Sequence, residues 1–133
     1  MNILSIGSKI TLRKISEEIV EKVERINFLD TTTNNFLNWG LSKTKKINYY
    51  SGDITKIDTL INAGLNDSDI IIVHSENDME SLFIAQKSKI NANSSIFVIL
   101  EDLSLAEIFE SLGFIIFDSH NLKITRLLNK LGN

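Results

Sequence analysis

The sequence predicts an α/β fold in which six parallel strands form a doubly wound sheet in the order 3-2-1-4-5-6, with helices on both faces. Three observations lead there. Short apolar runs bounded by turn residues recur six times along the chain. Several of them are apolar on successive residues, the pattern of strands buried on both faces of a parallel sheet. The segments between them carry helical period, so strands and helices alternate, and right-handed crossovers then fix the winding.

The elements follow in order. Ile3 to Ile6 forms the first strand, and a helix is expected from Ser8 to Glu24 with Leu12, Ile15, Ile19 and Val23 inward. Ile26 to Leu29 forms the second strand. The segment Thr32 to Lys45 is less regular, because its asparagines and Gly40 weaken a helix; a short one is expected around Asn35 to Trp39. Ile47 to Tyr50 is the third strand, followed by a helix that carries Ile57, Leu60 and Ile61 and stops at Gly64. Ile70 to Val73 is the fourth strand. The fifth, Ile96 to Leu100, precedes a helix with Leu105, Ile108, Phe109 and Leu112 at i, i+3, i+4, i+7, which Gly113 ends. Phe114 to Phe117 is the sixth strand.

Start signals accompany these helices. Thr55 with Asp58, Asn77 with Glu80, and Ser104 with Glu107 each set a capping side chain three residues before a carboxylate that favours the positive helix terminus. A last helix, at about 121–131, presents Ile124, Leu127, Leu128 and Leu131 as an apolar ridge. Either the sheet of the same chain covers that ridge or a second copy does.

The chain is 133 residues long, without repeats or a linker, and reads as a single domain over 1–133. Hydrophobic residues at 43% and charged residues at 23% exclude a disordered chain. A net charge of −3 disfavours nucleic acid or an anionic membrane surface as partner. The lack of cysteine excludes disulfides, a thiolate nucleophile and cysteine-bound zinc, and with no basic, apolar leader the expected location is the cytoplasm. No apolar run approaches the ~20 residues that cross a bilayer, so a membrane link is expected only through a partner.

A doubly wound sheet binds ligands at the carboxyl ends of its strands, beside the reversal between the first and fourth. That rim carries Gly7, Asp30, Gly52 and Asp53, and His74 and Ser75. The first turn, Gly7-Ser8-Lys9-Ile10-Thr11-Leu12, keeps the first glycine of a G-x-G-x-x-G dinucleotide fingerprint and has Lys9 and Leu12 at the other two positions. Lys9 has three readings: a phosphate contact at the helix terminus, an occupant of the phosphate's space, or a solvated surface lysine. Asp30 stands 23 residues after Gly7, near the ~20-residue spacing of a carboxylate that binds ribose hydroxyls. With Thr31 to Thr33 beside it, its other reading, the favoured one outside the fold context, is a strand-end aspartate capping the next turn.

His74 is read either as a base or phosphate contact or as a hydrogen-bonded structural histidine, and the two histidines are not expected to cluster. Glu76, Asp78 and Glu80 are read as a macrodipole-favouring helix start rather than a metal site. No nucleophile and base stand at a usable spacing, and no catalytic or metal-binding residue is expected.

Gly52-Asp53-Ile54-Thr55, the stretch Leu60 to Val73 with Ala63-Gly64-Leu65-Asn66-Asp67-Ser68-Asp69, Asn77-Asp78, Ala85-Gln86-Lys87 and Leu112-Gly113-Phe114 resemble the TrkA-N (RCK/KTN) family of nucleotide-binding domains that regulate potassium conductance and transport. The resemblance covers nearly the whole chain. It implies a Rossmann-like domain that binds NAD, NADH, ATP or ADP and passes the bound state to a potassium channel or transporter subunit in trans. By position, Gly7 matches the first fingerprint glycine, with Ser8 and Lys9 in its turn, Asp30 the ribose carboxylate with Thr31 after it, Asp53 the adenosine-side acid, and Ser75 a threonine after the fourth strand. Lys9 and Leu12 depart from the fingerprint; Ser81 stands where asparagine is common and His74 where a small or apolar residue is common. Relatives of this kind often cross to a second copy through a helix after the last strand, so a homodimer is expected.

Three functions are then in view. The first is a regulatory nucleotide-binding domain rather than an enzyme. The second is a degenerate module in which Lys9 and Leu12 have ended nucleotide binding and the fold serves dimerisation or scaffolding. The third is a small oxidoreductase, disfavoured because no second domain is expected to hold a substrate. Asp30 argues against NADP, whose 2′-phosphate would face a carboxylate.

Overall fold

The computed structural model describes residues 1–41 and 46–132. Its strands are β1 (Asn2–Ile6), β2 (Arg25–Asp30), β3 (Ile47–Ser51), β4 (Ile70–Val73), β5 (Ser95–Leu100) and β6 (Ile115–Asp118). They pair in parallel as β3-β2-β1-β4-β5-β6, the order expected of a doubly wound dinucleotide-type sheet. Between them lie α1 (Ile10–Ile19), α2 (Ile57–Asn62), α3 (Asp78–Asn91), α4 (Ala106–Ser111) and, at the end, α5 (Thr125–Lys130).

Alternation along each strand sends successive side chains to opposite faces, and both faces are covered. On one, Ile3, Ile26, Phe28, Ile72 and Phe97 pack against Leu12, Ile15 and Ile19 of α1 and against Leu127 of α5. On the other, Leu4, Leu29, Ile71 and Val98 pack against Leu60 of α2 and Leu82 and Ala85 of α3. Phe36, Trp39 and Tyr49 close around Phe28 at ring-centroid distances of 5.7, 5.1 and 5.4 Å. The apolar ridge on α5 is consumed by the chain's own sheet: Ile124 and Leu127 are buried, and Leu128 and Leu131 pack against the same cluster.

Several local expectations are corrected. α1 is shorter than Ser8–Glu24, because the Ser8 side chain is drawn away to Asp30 and Lys9 is extended (ψ 157°). At its far end the chain tightens into a 3-10 turn, Val20–Lys22, and the carbonyls of Val20 and of Val23 just after it accept from Lys46 Nζ at 3.0 and 3.3 Å. Val23 still points inward. The expected helix around Asn35 to Trp39 is a 3-10 turn at Thr33–Phe36 capped by Thr32, and residues 42–45 of that segment lie outside the described residues.

Two of the three start signals also differ. Asn77 caps α3, accepting from the Glu80 N–H at 2.9 Å. Thr55 caps nothing; its hydroxyl donates to Asp53 Oδ1 at 2.6 Å, and Lys56 holds the N-cap of α2 without a side-chain bond. Before α4, Asp102 rather than Ser104 supplies the cap, accepting from the Ser104 N–H at 2.9 Å ahead of a 3-10 turn at Leu103–Leu105. α5 spans Thr125–Lys130 rather than 121–131.

Candidate functional site

The carboxyl ends of β1 to β4 surround a cleft of about 130 Å³ at the step where the strand order reverses. Gly7, Ser8, Lys9, Asp30, Thr31, Asp53, His74 and Ser75 all line it. The sheet brings them together because each lies at, or just past, the end of one of these parallel strands. Ile54, Thr55, Glu76 and Glu80 line it as well. Glu80, the third residue of α3, reads in the sequence only as an acid favouring the helix terminus, and its place in the first turn beside the end of β4 is the signal that could have put it in the cleft.

Gly7 has φ +112°, and a Cβ there would overlap the carbonyl oxygen of His74 and lie 2.9 Å from its carbonyl carbon. This glycine is therefore required by the chain's own backbone. Its N–H donates to Leu29 O at 2.8 Å and the His74 N–H to Ile6 O at 3.0 Å, which holds the turn against both neighbouring strands. Leu12, at the third fingerprint position, is fully buried in the core between α1 and the sheet. The N-terminus of α1 above the cleft has neither a side-chain cap nor an acidic residue in its first turn, so its free N–H groups favour an anion.

Asp30 is buried at the floor of the cleft, with three donors from its own chain. The Ser8 hydroxyl and Asn35 Nδ2 (3.0 Å) donate to Oδ2, and the Thr31 N–H donates to Oδ1 at 2.8 Å. Asp30 thus caps its own turn, and it also lines the cleft. Asn35 was not foreseen as its partner, because an asparagine in an irregular segment carries no spacing signal.

Asp53 is exposed and accepts from the Thr55 N–H at 3.0 Å as well as its hydroxyl; these bonds hold its carboxyl below the usual range. Lys9 Nζ reaches the Glu76 carbonyl at 3.4 Å, bridging the β1–α1 turn and the β4–α3 turn. Ser75 donates its hydroxyl to Glu80 Oε1, and its N–H donates to Ser81 Oγ at 2.8 Å.

His74 is buried, with both ring nitrogens engaged. Nδ1 meets the Thr11 hydroxyl in the first turn of α1, and Nε2 lies 2.9 Å from Glu101 Oε1 just past β5. Burial pushes its pKa down from the usual 6.5, against the opposing pull of Glu101. Glu101 also accepts from Ser119 Oγ at 2.7 Å and stands 3.3 Å from His120 Nε2. The two histidines therefore share one carboxylate, contrary to the expectation that they do not cluster. They are far apart in sequence, and only the adjacency of β4, β5 and β6 joins them. Glu101 is held below the usual carboxylate range by Ser119 first and His74 second. Among the described residues, no group of three or more histidine or acidic side chains is placed to hold a metal ion.

This geometry is a cleft at the strand-order reversal of a doubly wound parallel sheet. The TrkA-N domain sequence profile matches residues 6–119, and the chain belongs to the TrkA-N domain family. No curated protein sequence matches it. Among solved structures it is similar to the GsuK channel bound to NAD, with 13% identity over 97% of this chain and a TM-score of 0.70. This chain spans 22% of that channel's length. It is also similar to the Kef CTD of Shewanella denitrificans in AMP-bound form, with 16% identity, 100% and 83% of the two chains covered and a TM-score of 0.67. A third is the NAD(P)-binding domain of an exopolyphosphatase-related protein from Archaeoglobus fulgidus, with 14% identity, 97% and 96% covered and a TM-score of 0.71. At these identities the similarity establishes the fold.

Proposed function

We propose that this chain is a regulatory domain that binds an adenine nucleotide or NAD(H) in the cleft at the ends of β1 to β4 and thereby controls potassium transport or conductance by a membrane subunit in trans. The observation that carries the reading is the convergence of a buried ribose-type carboxylate, Asp30, with an uncapped α1 terminus in one cleft at the strand-order reversal. The GsuK and Kef structures, bound to NAD and AMP, lend it support. The domain works by binding rather than by catalysis: its ligand changes the balance between two arrangements only insofar as it binds one of them better. It acts in the cytoplasm, against the membrane subunit's inner face; among the described residues no helix is long and apolar enough to cross a membrane itself.

The proposal includes a homodimer. With the ridge of α5 committed to its own sheet, the exposed large apolar side chains include Met79, Phe83 and Ile90 of α3 and Leu105, Ile108 and Leu112 at α4. Lys89 joins the two helices by donating to the Leu112 carbonyl. We infer that these apolar side chains are where a second copy would pack, since large apolar groups left in water favour burial against a partner.

A second reading has its own observation. Asp30 is already satisfied by Ser8, Thr31 and Asn35, and Lys9 spans the cleft to Glu76, as in a module that has stopped binding nucleotide and serves as a scaffold. A thermal-melt screen against AMP, ADP, ATP, NAD and NADH, followed by calorimetry, separates the two. Ligand at 100 times its Kd stabilises by about 2.7 kcal/mol, a rise of several degrees. No rise at millimolar concentration with any of them selects the scaffold.

A further inference from the structure

We propose that nucleotide binding in this cleft is coupled to proton uptake by His74, so that the domain holds its ligand more tightly as the pH falls. The inference rests on the nucleotide-binding reading above and adds its regulation.

His74 is 3% exposed, yet it forms part of the cleft wall and lies directly under the first turn of α1. The carboxylate at Nε2 places the ring proton on that nitrogen, which leaves Nδ1 to accept from the Thr11 hydroxyl. A second proton on Nδ1 needs only the Thr11 hydroxyl to turn and accept. The ring can therefore change charge where it stands, without repacking the core around it.

The surrounding charges set the direction. Lys9, on the β1–α1 turn, opposes a positive ring; Glu101 past β5 and Asp78 at the start of α3 favour one. His120, beyond β6, shares the other oxygen of Glu101, and Glu76 and Glu80 line the same cleft. An anionic phosphate beside Lys9 and the α1 terminus offsets the repulsion from Lys9 and attracts the imidazolium. The complex then binds more protons than the free protein, and by linkage acid strengthens binding. Each unit by which the ligand raises the histidine pKa is worth up to about tenfold in affinity.

The test is calorimetry with NAD, whose pyrophosphate does not titrate near neutrality, at about pH 6 in two buffers of different ionisation enthalpy. The expected result is net proton uptake that disappears in His74→Gln, together with affinity that rises from pH 7.5 to 6 in the wild type only. Where AMP is the probe, subtraction of the variant cancels the titration of its own phosphate. Because His74 is buried, NMR titration of its ring in the wild-type protein provides a second measure: saturating ligand should move the midpoint upward. Binding without uptake, uptake that persists in His74→Gln, or an unmoved midpoint each overturns the inference and leaves the binding function standing. Absence of binding at every pH overturns both.

Discussion

Gly7 and His74 are in direct backbone contact: the α-carbon of one faces the carbonyl of the other so closely that a methyl group cannot be inserted between them. The first glycine of the fingerprint is thus held by strand packing before any ligand arrives. Gly7→Ala adds this overlap to an unfavourable φ of +112°. The expected cost is about 2–4 kcal/mol, seen in urea denaturation without ligand. A loss under about 0.5 kcal/mol would show that the turn relaxes freely.

Asp30 joins stability to binding. Asp30→Ala leaves the Ser8 hydroxyl, the Asn35 amide and the Thr31 N–H without their acceptor, at a cost of about 1–3 kcal/mol while the fold is retained. It should also weaken nucleotide binding by tenfold or more, read by calorimetry below the melting temperature. Unchanged affinity would remove Asp30 from the site.

Asn35→Ala acts in the opposite direction. It frees one acceptor position on Asp30 Oδ2 for a ribose hydroxyl, so binding should tighten by about threefold to tenfold, the worth of roughly one hydrogen bond. If the affinity falls instead, Asn35 is itself a contact to the ligand.

Lys9→Gly tests the turn. On the proposed function the lysine serves the phosphate, and its loss should weaken an anionic nucleotide by about tenfold, with stronger salt sensitivity in the wild type than in the variant. Tighter binding by the variant would mean that the lysine fills the space of the phosphate.

Without ligand, His74 also makes stability depend on pH. Its pKa is lowered in the folded protein, so the unfolded chain binds more protons below the ordinary value of about 6.5. Its contribution is present above that pH and is lost as the pH falls through the folded value. The melting temperature should therefore decline between pH 7 and 5.5, and less steeply in His74→Gln. Glu101 and Asp53, both lowered, extend the decline to more acidic pH.

Most of the architecture was legible in the order of residues. Six apolar runs bounded by turn residues gave the strands, Gly64 and Gly113 marked helix ends with φ of +102° and +98°, and the strand order is the one that the doubly wound dinucleotide-binding arrangement uses for such alternation. These features are local, or follow from rules that act on neighbouring elements. The rim residues were legible for the same reason, because a parallel sheet delivers every strand's carboxyl end to one edge.

What the sequence could not determine is which side chains use one another once they reach that edge. Thr55 and Ser104 looked like caps, and became a partner of Asp53 and a donor to Asp102, because a neighbouring carboxylate competes for the same local hydrogen bonds. The pairing of Asn35 with Asp30, and the sharing of Glu101 by His74 and His120, depend on where separate strands and turns meet in space. Spacing along one chain carries no information about such meetings. They are decided by packing in three dimensions, where a buried polar group takes whichever partner the fold sets within reach.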